Sequence, residues 1–139
     1  MDLIVDANVL FAALIKDGVT ANLIFVDRLH LYAPEYLLDE FEEYRGEILK
    51  KTHRPSDKFD EVLSEISARI HFVPINEFDS MIKAAEQISP DIDDSIYFAL
   101  ALKIGMPIWS NDTRLKKQSA VRIYSTTDLV HIFSSDLEQ

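Results

Sequence analysis

Short apolar runs alternate with amphipathic stretches along the whole chain. Residues 3–5, 31–33, 70–75, 108–109 and 122–124 read as five strands. The segments between them carry helical spacing. The pattern predicts a helix over about 8–29 with a break near Gly18, and a second with Pro34 in its first turn, running to about residue 50. After the turn Arg54-Pro55-Ser56-Asp57, with Ser56 or Asp57 as cap, a third helix reaches about residue 68. Further helices are expected over 77–88, from Asp93 or Asp94 to near Gly105, and over 127–133. Strands alternating with helices predict an α/β fold built on a parallel sheet with helices on both faces. Segment 95–104 is apolar nearly all round and should lie deep against that sheet.

Two of these strands end in a carboxylate. The first runs into Asp6-Ala7-Asn8, and the fourth into Ser110-Asn111-Asp112. Ligands of open α/β sheets sit outside the carboxyl ends of the strands. Acids delivered there by separate strands point to a hard-cation site, and further acids lie between them in sequence. Asp6 could cap the first helix, but Asn8 could do the same, which would leave Asp6 free. In the segment around Glu40, residues Leu37, Phe41, Tyr44 and Ile48 mark a buried stripe. At about 100° per residue, Glu40 falls roughly 90° from its centre, while Asp39 and Glu43 point away. Glu47 is the near rival, two turns further from the helix start. Of Asp91, Asp93 and Asp94, Asp93 is the expected cap and Asp94 the acid best placed to face the crevice.

The chain has 139 residues, which suits one domain with a real core. It contains no cysteine, so thiolate metal sites are excluded. His30, His53, His71 and His131 form no persuasive ligand pair, and the three glycines cannot build a phosphate loop. No apolar run approaches the roughly 20 residues that span a bilayer, so a cytoplasmic protein without membrane contact is expected. The formal charge of −10 argues against nucleic-acid binding, unless a divalent ion inverts the local potential. Arg114, Lys116 and Lys117 form the compact basic group near the acids. They read either as a solvated face or as phosphate contacts.

The pieces IVDANVL (4–10), APEYLLDEF (33–41), DIDDSIYFALAL (91–102) and PIWSND (107–112) together resemble a PIN domain, the nuclease fold of VapC-type toxins. The resemblance spans nearly the whole chain. It implies a three-layer α/β/α fold with strand order 3-2-1-4-5, and an acidic quartet of Asp6, Glu40, Asp94 and Asp112. Asn8, Ser110 and Asp91 would support that quartet. Oxygen-only ligands favour Mg²⁺ or Mn²⁺. The expected reaction is hydrolysis of RNA phosphodiesters, with a small antitoxin protein as possible partner. The resemblance also implies a homodimer, for which the helices of 34–68, with Tyr44, Phe59 and Val62, are the first candidate surface. A non-catalytic module of the same fold, binding RNA or protein, is the alternative. A phosphatase of the haloacid dehalogenase type would want a second Asp two residues after Asp6, where Asn8 stands.

Overall fold

Residues 1–138 are described by the computed structural model. β1 (Asp2–Val5) leads into α1 (Ala7–Ile15) and α2 (Val19–Ile24), and β2 (His30–Pro34) into α3 (Tyr36–Lys51) and α4 (Ser56–Ala68). β3 (Ile70–Val73) is followed by two single 3-10 turns and α5 (Ile82–Ile88). A third 3-10 turn, Ile92–Asp94, opens α6 (Ser95–Ile104). β4 (Ile108–Trp109), a 3-10 segment at Thr113–Lys117, β5 (Ile123–Tyr124), α7 (Thr126–Ile132) and α8 (Ser134–Leu137) complete the order. The five strands form one sheet in the order β3-β2-β1-β4-β5, and every pair is parallel.

Strand periodicity explains why helices flank the sheet. Leu3 and Val5 of β1 join a core shared with α1–α4 and α7, while Ile4 joins the opposite core, built largely on α5 and α6. Trp109 and Ile108 divide in the same way. Successive strand residues point to opposite faces, so these runs stay apolar throughout. On α6, Tyr97, Phe98, Ala99, Leu100 and Ala101 are all buried, as the uniform hydrophobicity of that segment predicts. It ends where Gly105 takes a left-handed φ of 68°. Among the described residues no helix is long and apolar enough to cross a membrane.

Several local expectations need correction. The break expected near Gly18 is present, with Gly18 as the cap of α2, but helix ends at Ile24 instead of reaching residue 29. Arg54, arriving from the loop after α3, donates to the Leu14 carbonyl and to Asp17, which secures the end of α1. Pro34 closes β2 instead of opening α3. The Glu35 N–H goes to the Val73 carbonyl of β3, so the nitrogen of Pro34 faces the side where β1 has already ended. A proline is harmless there because no ladder bond is lost. The α4 cap position is Pro55, without a side-chain bond from Ser56 or Asp57. β3 stops at Val73, and the helix expected over 77–88 is α-helical from Ile82 onwards. Phe59, proposed for a dimer surface, is fully buried and stacks on Phe41 inside its own core. Tyr44 is exposed, 6.0 Å from the Phe11 ring.

Candidate functional site

β1 and β4 lie side by side, with Val5 opposite Trp109, so the residues that follow each strand emerge at the same sheet end. Asp6 is the cap of α1 and is 8% exposed; its Oδ1 accepts the Val9 N–H at 2.9 Å. This corrects the expectation that Asn8 would cap. Asn8 already lies within the first turn of α1, and the cap must precede Ala7. The bond to Val9 engages only one of the two carboxylate oxygens. Burial pushes its pKa up, and the nearby Asp112 charge adds to this, while hydrogen bonds from Ser110 and Val9 pull it back.

Ser110 is 1% exposed, and its Oγ accepts the Asp112 N–H at 3.1 Å. Asp112 in turn caps the 3-10 segment by accepting the Arg114 N–H at 3.0 Å. The Arg114 guanidinium grips the same carboxylate, with Nη2 2.7 Å from Oδ2 and Nε 3.1 Å from Oδ1. That grip holds the Asp112 pKa below its ordinary value.

Glu40 projects from α3 and is half-buried. Its Oε1 accepts the hydroxyl of Tyr97 on α6 at 2.7 Å. Burial raises its pKa, the Tyr97 bond opposes this, and the Asp6 charge adds to the rise. Asp94, at the start of α6, makes no capping bond. Its pKa is raised to about 6, first by burial and then by the charges of Asp91, Asp6 and Asp112. Asp93, the expected cap, is exposed. The local capping is done by Asp91, whose Oδ1 accepts the Asp93 N–H at 3.0 Å.

The four acids singled out from sequence therefore lie at one end of the sheet, where Asp6, Asp94 and Asp112 feel one another's charge and Glu40 feels that of Asp6. Asn8 is exposed and, with Glu40, lines a groove of about 460 Å³ between α1 and α3. Glu47 lines the same groove further along and is exposed. Lys116 pairs with Asp128 at 3.6 Å, and Lys117 lies close enough to lower the Asp112 pKa. Tyr97 was not singled out beforehand. The available signal was a hydroxyl within an otherwise apolar helix, since a buried tyrosine hydroxyl requires a partner.

The donor set is all oxygen, and the excess negative charge is of the kind a divalent cation relieves. As the side chains stand, no three acids or histidines among the described residues are close enough to share an ion. Two of the four acids are turned to other partners, Glu40 to Tyr97 and Asp112 to Arg114. Convergence on an ion requires side-chain rotation on a fixed backbone.

A family model described as the PIN domain matches residues 4–132. No curated protein matches the sequence. Among solved structures, the chain is similar to one in the crystal structure of VapBC2 from Rickettsia felis bound to a DNA fragment from their promoter. Identity is 11% and the TM-score 0.66, with 90% of this chain and 98% of that chain covered. At that identity the likeness is one of fold.

Proposed function

Because the chain belongs to the PIN-domain family, we propose that it is a metal-dependent ribonuclease that hydrolyses RNA phosphodiester bonds. The observation that carries this reading is the placement of Asp6, Asp94 and Asp112, with Glu40 beside them, at one sheet end, where burial first and then neighbouring carboxylate charges raise the pKa of Asp94 and Asp6. Carboxylates gathered at that cost to the metal-free fold suit cation binding better than structural support. Asp6, Glu40, Asp94 and Asp112 would hold Mg²⁺ or Mn²⁺. Bound there, the ion would lower the pKa of water and offset charge on the phosphoryl oxygens. Ser110 fixes the Asp112 loop, Asp91 organises the turn before Asp94, and Tyr97 holds Glu40 at the mouth of the groove. Lys116 and Lys117 are candidates for RNA phosphate contact.

Cleavage of a mixed single-stranded RNA pool tests the activity. Cleavage with Mg²⁺ or Mn²⁺ that stops with chelator supports it, and RNA binding without cleavage would favour the non-catalytic module. The same ions should raise the melting temperature, since a ligand that binds only the folded state stabilises it. That gain should shrink in Asp6→Asn and Glu40→Gln and persist in Glu47→Gln. An equal loss in all three would remove the basis for choosing Glu40.

The VapBC2 likeness and the −10 charge favour regulation by a small protein whose basic tail enters the acidic end of the groove. Self-association through α3 belongs to the same reading, because Tyr36, Leu38 and Tyr44 are all at least 40% exposed. Light scattering should report a dimer at micromolar concentration. A monomer at every concentration would refute it.

A further inference from the structure

Arg114 places a positive charge directly on one of the four acids. Its guanidinium and backbone N–H together engage both oxygens of Asp112. Nη1 stands 3.8 Å from Asp91 Oδ2, and the same positive charge opposes the upward shift of the Asp94 pKa. One side chain thus faces three acids of the cluster. Lys117 adds positive charge near Asp112, but no bond from it to the acids is formed among the described residues.

The pairing is local. Asp112 and Arg114 are two residues apart on the 3-10 segment, so the arginine reaches back over its own cap. The arginine side chain is 60% exposed. Exposed ion pairs are individually modest, and the two-point grip places this one at the stronger end of that range. A carboxylate offers about four lone-pair sites, and Arg114 takes most of those on Asp112.

We infer that Arg114 is an internal counter-cation that engages the Asp112 carboxylate and competes with a divalent metal ion for it. This rests on the proposed nuclease reading and adds to it a positioning residue that gates the fourth acid. A divalent ion held by Asp112 would displace the guanidinium and leave it free to take another anion. A planar fork suits a phosphate as well as a carboxylate. An RNA phosphate that draws Arg114 away therefore frees Asp112, so RNA and metal favour each other's binding through this side chain. By linkage the effect is reciprocal.

Calorimetric titration with Mn²⁺ alone tests this on the full chain, without RNA. Arg114→Gln should bind Mn²⁺ about fivefold more tightly than wild type, the order of factor expected when an exposed competing ion pair is removed. Arg114→Lys, a point charge without the fork, should fall between the two. The gain should vanish when Arg114→Gln is placed on Asp112→Asn, because the competition acts through that carboxylate. If Arg114 served only to brace the loop, its removal would weaken Mn²⁺ binding. Unchanged or weaker binding in Arg114→Gln, or a gain that survives on Asp112→Asn, overturns the inference and leaves the nuclease reading standing. Absence of Mn²⁺ binding by the wild type overturns both.

Discussion

Asp94→Asn is expected to reduce metal-dependent RNA cleavage by about 10²-fold or more, the order seen when one preorganised charge-stabilising group is lost. The fold should survive. The amide is nearly isosteric, and Asp94 makes no capping bond that the change could break. Metal-free protein should even gain stability. In the fold the Asp94 pKa is raised from 3.8 to about 6, so its ionised form is the penalised one. Above about pH 6 the native state carries that penalty; as pH falls from 6 towards 3.8, protonation removes it. Asparagine never carries the charge. In chelator, the variant should therefore melt higher than wild type at pH 8, and the difference should fade below about pH 6. With saturating Mg²⁺ or Mn²⁺ the order should reverse, because the ion favours the carboxylate. Asp93→Asn, a change at an exposed neighbour, should cost little activity. Strong loss in Asp93→Asn with little in Asp94→Asn would show that the third acid has been assigned to the wrong residue.

Such a trade of stability for charge explains why parts of this site were legible in the sequence. Acids at the ends of apolar strands break the local pattern without serving the core, and that inconsistency marked Asp6 and Asp112. Glu40 was separable from Asp39 and Glu43 by helical angle alone, since of the expected stripe α3 buries Leu37, Phe41 and Ile48, although Tyr44 stays exposed. The topology followed from the resemblance, while cover on both faces followed from the alternation of strands with helices. What stayed hidden depends on tertiary neighbours. Tyr97 lies 57 residues from Glu40, and no local rule joins them. Pro34 carries both a helix-start and a strand-end signal, and the extent of β1 decides between them. Phe59 looked available for assembly because helical spacing marks an apolar face without naming its partner; here that partner is Phe41.

Trp109→Ala should destabilise the protein by about 3–5 kcal/mol, the usual cost of deleting a large buried aromatic side chain. A domain has about 5–15 kcal/mol to lose, so this variant should be close to unfolding at 37 °C. Trp109 is fully buried, and its indole N–H donates to Thr126 Oγ1 at 3.0 Å. Asn111 donates to the same oxygen at 2.9 Å, and its own carbonyl oxygen accepts the Thr126 N–H at 2.8 Å. Residues on both sides of Ser110 are thereby tied to the start of α7. On the other side, the Asp6 N–H reaches the Trp109 carbonyl at 3.3 Å. One residue thus supports both strand ends that present acids. Trp109→Phe keeps most of the apolar volume and leaves Thr126 Oγ1 bonded to Asn111, so it should cost about 1–2 kcal/mol from lost volume and one hydrogen bond. Urea unfolding should show the midpoint falling in that order with little change in slope. At temperatures where Trp109→Phe is fully folded, its Mn²⁺ affinity should still fall relative to wild type, because the loop carrying Asp112 has lost one anchor. A stability loss with unchanged Mn²⁺ affinity would separate the core role of Trp109 from any role in holding the site.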